Sequence, residues 1–186
     1  MSSPLLHRTG EPLSATELTA LRLDGLLVEV GEAFVPADVP ETPALRLASL
    51  APLVRPEHVV SGPTAAWVHG AGDRPPLRCH VRPHGDRRLR APAHGRLVLH
   101  EGVVPPTDLQ VMGGLRVLTV TAAMVDLART DHVPGSRSWL SVLAAMHPAE
   151  VREAVARLAA HERLPGKRTA IRVLEAVYEE VTRYTS

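Results

Sequence analysis

Val59-Val60-Ser61-Gly62-Pro63-Thr64-Ala65-Ala66-Trp67-Val68-His69-Gly70 is the stretch that decides how this chain is read. Val59 and Val60 form a short apolar strand. Ser61-Gly62-Pro63 makes a tight turn, with Pro63 suited to the first helical position because its missing N–H costs nothing there. Ala65 and Ala66 let another backbone approach closely, and Trp67 supplies a large surface for burial, more suited to core than to stacking. Gly70 closes the helix by taking the left-handed conformation. The spacing therefore predicts strand, turn and a short helix.

Working outward, the N-terminal side begins with Ser14 as a helix cap and Glu17 completing a capping box. A short helix runs to Asp24-Gly25, followed by a hairpin over Leu26–Val30 and Ala33–Val35. A helix running into a hairpin fits the tail of a winged helix-turn-helix as well as any small α+β subunit. The prolines at 36, 40 and 43 mark a boundary, so the expected organisation is a winged-helix-like unit over residues 1–38 and an α/β domain over 39–186. Thr42-Pro43 caps a helix expected to run to about Val54.

On the C-terminal side, strands are expected at Leu77–Val81, Leu97–His100, Gln110–Met112 and Leu115–Val120, the last two joined by Gly113-Gly114. A helix follows from Thr121 to Arg129. Trp139, Val142, Leu143 and Met146 mark one amphipathic helix; Val151, Ala154, Val155 and Leu158 mark a second. Ile171, Leu174, Tyr178 and Val181 mark the last. The fold class is α+β: a winged-helix-like unit, a mixed sheet with flanking helices, and a helical C-terminus.

Composition narrows the function. Of 186 residues, 45% are hydrophobic and only 3% aromatic, so the core rests on Leu, Val and Ala. The formal net charge is +1, which carries no global nucleic-acid signal and shifts attention to where charge is concentrated. Cys79 is the single cysteine, so no intrachain disulfide forms, in keeping with a reducing, cytoplasmic setting. No secretory signal or bilayer-length apolar run is present in the sequence, so no membrane association is expected.

Charge is concentrated in one place. Arg74, Arg78, Arg82, Arg87, Arg88, Arg90 and Arg96 stand against Asp73 and Asp86 in a Gly- and Pro-rich stretch. Such a local positive field suits bidentate contact with phosphates or docking of an acidic partner. A solvated loop in an arginine-biased chain (Lys167 is the one lysine beside twenty arginines) is the competing reading. By contrast, Ser14–Val35 holds Arg22 against Glu17, Asp24, Glu29 and Glu32, an unfavourable balance for a helix in the major groove.

Catalytic and metal readings are weaker. Cys79, His80, His84 and His94 match no zinc spacing, and neighbours on a strand point to opposite faces. No metal or cofactor is expected. Ser61, His69 and Asp126 could be strung into a triad, but Ser61 lacks the flanking pattern of a nucleophile elbow. The simpler reading makes Ser61 a helix cap and places a tolerated charge on His69 at a helix C-terminus. Asp126 then pairs with Arg129 at i+3. No catalytic residue is assigned.

Four blocks, in order, resemble the AbiEi family of antitoxins and related transcriptional regulators. They are the hairpin Gly25–Pro36, the stretch Val59–Gly70, the hairpin around Gly113-Gly114 with Val117–Val120, and the helix Thr121–Arg129 carrying Asp126-Leu127-Ala128-Arg129. The resemblance implies a non-enzymatic antitoxin that binds operator DNA, represses its own operon and counters an AbiEii-like, nucleotidyltransferase-type toxin. Operators of such regulators are commonly repeated, which implies two copies per site, a homo-oligomer on DNA, without requiring a dimer in solution. DNA contacts would come from Arg22 and the hairpin, or from Arg78, Arg82, Arg87, Arg88 and Arg90. The alternative is a protein-interaction module that docks a toxin or another partner without binding DNA. The resemblance does not reach the nuclease-like domain of long family members, so nuclease activity is not expected.

Overall fold

A computed structural model of the chain describes residues 5–10, 12–85 and 95–185, with the side chains of 184 and 185 excepted. Arg87, Arg88, Arg90 and His94 therefore lie outside the described residues.

The N-terminal part is a helix and a hairpin: α1 (Ala15–Leu23), β1 (Leu27–Val30) and β2 (Ala33–Pro36). The capping box forms as the sequence predicts. Glu17 N donates to Ser14 Oγ at 3.3 Å, and Ser14 N donates to Glu17 Oε2 at 2.8 Å. His7 bridges to Phe34, adding an extended segment beside β2. α2 (Pro43–Ser49) follows, capped by Thr42. It stops at Leu50 instead of reaching Val54, because Pro52 disfavours helical backbone at Ala51.

The rest is a mixed five-stranded sheet covered by helices. β3 (His58–Val60), β4 (Cys79–Pro83), β5 (Leu97–Leu99), β6 (Leu109–Met112) and β7 (Leu115–Leu118) lie in the order β5-β4-β3-β7-β6. β3 is antiparallel to β4 and parallel to β7, with Val60 opposite Val117. All of β3 is buried, as a central strand with both faces covered must be. β6 and β7 are joined by Gly113 and Gly114 at φ of 58° and 82°, the positive pair that a tight hairpin turn needs. The helices are α3 (Gly62–Val68), α4 (Val120–Arg129), α5 (Ser136–Met146), α6 (Pro148–Ala160) and α7 (Lys167–Thr185). The architecture is α+β, as expected.

One apolar core runs from Val30 and Val35 of the hairpin through Trp67 to Leu174 of α7. Trp67 is fully buried, and the Arg46 guanidinium lies 5.2 Å from its ring centroid. Arg46 is itself held by the carbonyls of Trp67 and Gly72, at 2.7 and 2.9 Å, and by Glu41. A buried cation is tolerated because its Nε and Nη1 find oxygen acceptors and its plane lies over the Trp67 ring. The tip of the β1–β2 hairpin joins this packing. A Cβ on Gly31 would collide with Ser49 Oγ and sit 3.3 Å from Trp67.

Candidate functional site

The site grows from one residue type in an unexpected place: an acid within the apolar helix Val120-Thr121-Ala122-Ala123-Met124-Val125-Asp126-Leu127-Ala128-Arg129. Asp126 is buried. Its Oδ2 accepts from Gly62 N at 3.0 Å and its Oδ1 accepts from Arg82 Nη2 at 2.5 Å. Arg82 Nη1 also donates to the Glu101 carbonyl. One carboxylate thus ties α4 to the start of α3, to β4 and to the segment after β5. The expected i+3 pair between Asp126 and Arg129 does not form. Arg129 stays exposed, since an exposed helical pair contributes only tenths of a kcal/mol whereas a buried carboxylate requires strong partners. Arg82, Asp126, Arg129 and Asp108 line a shallow cleft of about 110 Å³.

The Ser61 expectation is also corrected. Gly62, not Pro63, opens α3, with φ of 51°. Ser61 occupies the capping position, but its hydroxyl makes no cap bond and is buried without a hydrogen-bond partner among the described residues. The cap is supplied across the fold by Asp126. His69 is not a surface charge at a helix end. It is buried, its Nε2 lies 2.6 Å from the Leu118 carbonyl, and burial lowers its pKa, so the ring stays neutral. Ser61, His69 and Asp126 therefore spend their polar atoms in separate places and form no proton relay.

Beside this hub, His80 and His100 face each other across β4 and the end of β5, with His80 Nδ1 2.8 Å from His100 Nε2. Burial, reinforced by the neighbouring His100, pushes His80 down to about 4, and burial lowers His100 as well. Both rings are neutral near pH 7, so one donates and the other accepts. His80 N donates to Thr64 Oγ1 at 2.8 Å, which locks the α3 side. Cys79 is buried, and burial pushes its thiol up to about 12, so it carries no thiolate chemistry.

The arginines expected to meet DNA fall into distinct settings. Arg74 and Arg78 are exposed, in the stretch leading into β4. Arg82 is half-buried and committed to Asp126. Arg96 precedes β5 and pairs with Glu32 at the tip of the β1–β2 hairpin, while its carbonyl accepts from Cys79 N at 2.8 Å. Arg78, next to Cys79, therefore lies beside Arg96 and the hairpin tip, whereas His84, whose N donates to the Glu57 carbonyl, lies at the other end of β4. Arg22 lies in the exposed last turn of α1. Asp126 had a signal in the sequence as the one acid among buried apolar neighbours. His100, Glu101 and Thr64 had none, because a strand or loop position says nothing of its neighbour across the sheet.

Comparison with known families matches residues 58–176, more than half of the chain, to the AbiEi antitoxin C-terminal domain. The chain belongs to the AbiEi antitoxin family. The matched region of this AbiEi chain opens at His58, the first residue of β3, and closes within α7, so it contains the whole Asp126 hub. An antitoxin role in a toxin–antitoxin system, and hence a cognate toxin, follows from that membership. Comparison with curated proteins found no match. Among solved structures, the RV2827C protein from Mycobacterium tuberculosis is similar, at 19% identity and a TM-score of 0.48, over 90% of this chain and 68% of that one. Among the described residues, no helix is long and apolar enough to cross a membrane.

Proposed function

We propose that this chain is a cytoplasmic, non-catalytic antitoxin that binds operator DNA, represses its own operon and counters an AbiEii-like toxin. The observation that carries the reading is the place where exposed Arg78 stands next to Cys79, whose N bonds to the Arg96 carbonyl, beside the hairpin tip that Arg96 holds through Glu32. Arg87, Arg88 and Arg90 fall in the sequence between β4 and β5. Phosphate contact by arginine is the chemistry such an end supports. In this reading, residues 1–38 are an N-terminal unit that adds Arg22 to the contact, and residues 39–186 supply the basic end. Arg82 acts chiefly by holding β4 through Asp126.

A fluorescence anisotropy titration against the chain's own upstream DNA, at two salt concentrations with unrelated DNA as control, tests it. Specific, salt-sensitive binding is expected. Arg78→Glu combined with Arg87→Glu and Arg88→Glu should weaken binding and flatten the salt slope by about 1 for each phosphate released. An unchanged affinity and slope in that variant would remove the basic end from the interface.

A second reading is a protein-interaction module that docks a toxin or other partner and does not bind DNA. It is favoured by the hairpin tip being packed against Ser49 and Trp67, where it is not free to enter a groove, and by the acidic surroundings of α1. Folded protein that binds neither DNA would support it.

A further inference from the structure

We propose that copies of this chain associate head to tail, the apolar, acidic shoulder formed by α1 and β1 of one copy seating in the basic concavity at the α6–α7 turn of the next.

The shoulder is unusual for its exposed apolar surface. α1 buries only Leu18, while Leu23 is 74% exposed, Leu26 58% and Val28 37%. These side chains follow one another around the α1–β1 connection, where Leu26 N bonds back to the Leu21 carbonyl. An apolar patch of this kind marks a surface that meets another molecule. Its rim is acidic: Asp24 and Glu29 are exposed and neither is ion-paired among the described residues.

The concavity has the opposite character. It encloses about 600 Å³ and is lined by Arg163, Lys167, Arg168 and Arg172 against Glu162, with half-buried Leu164 in its wall. Lys167 Nζ donates to the carbonyls of Ala159 and His161, at 2.8 and 2.5 Å, which pins the turn. Arg163, Arg168 and Arg172 have no acidic partner among the described residues. An exposed leucine with a carboxylate rim is complementary in charge to a hollow with an arginine rim, and the hollow's Leu164 offers it an apolar wall.

Within one chain the two surfaces do not meet, because α1 packs chiefly on β1 while α7 packs on α4, α5 and α6. Two shoulders facing each other would oppose acid to acid, and two hollows would oppose base to base. The favourable contact is therefore heterologous, and repeats into a ring or an open row. The inference stands independently of DNA binding.

Sedimentation of the purified full chain over a range of concentrations, at low and high salt, tests it. The wild-type mass should rise with concentration and fall back with salt. Leu23→Asp, Asp24→Arg, and Arg168→Glu with Arg172→Glu should each lose that rise while circular dichroism stays unchanged. Mixing the Asp24→Arg chain with the Arg168→Glu, Arg172→Glu chain should restore it, because each now complements the other. A wild type that stays monomeric, or association that survives all three variants, would overturn the proposal. So would arginine variants that weaken DNA binding while self-association persists, which would make the hollow a nucleic-acid contact.

Discussion

At the β7–α4 junction, Thr119 caps its own helix, its Oγ1 accepting from Ala122 N at 3.3 Å. At the β3–α3 junction on the neighbouring parallel strand, Ser61 holds the same position, yet its hydroxyl bonds to nothing among the described residues. There the helix start is closed by Asp126, 64 residues away in the chain. The two junctions share a strand, a hydroxyl residue and a following helix. They differ in whether the cap is local or tertiary. A local cap stabilises a single helix. A tertiary cap also fixes the position of that helix against α4 and β4, and through Arg82 it fixes the strand from which the arginine-rich segment departs.

Removing the tertiary cap should have the largest effect. Asp126→Ala leaves the half-buried Arg82 guanidinium without its counter-charge and Gly62 N without an acceptor, and is expected to lower stability by about 3–5 kcal/mol in urea unfolding. A loss below about 1 kcal/mol would mean the carboxylate is not the link described. Next comes Gly62→Ala. Space is available, since the added Cβ would stand 3.6 Å from His80 Nδ1, but φ of 51° is strained for any L side chain. About 1–2 kcal/mol is expected, and no change would show that the backbone relaxes freely there.

The local cap is worth less. Thr119→Ala should cost about 1 kcal/mol, read in the same unfolding experiment, and its effect should add to that of Gly62→Ala if the junctions are independent. The histidine pair beside the tertiary junction adds a pH dependence. His80 is depressed to about 4 from an unfolded value near 6.5, so the unfolded chain binds more protons within that window. Its contribution is full above about pH 6.5 and is lost as pH falls toward about 4, by less than about 1 kcal/mol once solvent screening of the half-exposed rings is counted. Stability measured across that range should lose part of this slope in His80→Gln; an identical slope would assign it elsewhere. Smallest is Ser61→Ala, which removes a buried hydroxyl that caps nothing and should be neutral or slightly stabilising. A clear destabilisation would reveal a partner for that hydroxyl.

Elements set by local chemistry were legible in the sequence. The capping box at Ser14 and Glu17 and the paired glycines between β6 and β7 appear where their residues demand, and a short helix follows β3 although its start shifts to Gly62, because each turn depends on neighbours a few positions away. Trp67 was legible as core from its size alone. The partner of Asp126 was not: helical spacing offered Arg129, while the partner selected came from a strand 44 residues earlier. The fate of His69 and the pairing of His80 with His100 were hidden for the same reason.

By itself, then, the sequence determined an α+β chain with its caps, turns and apolar stripes, and a family resemblance that the match over residues 58–176 sustains. Only the tertiary structure decided which polar groups are used up and which remain available. Arg82 and Asp126 are joined inside, Arg96 is tied to the hairpin tip, and Arg74, Arg78 and Arg129 are left at the surface. The physical reason is that burial makes an unpaired charge costly, so partners are chosen by proximity in the folded sheet and not by spacing along the chain.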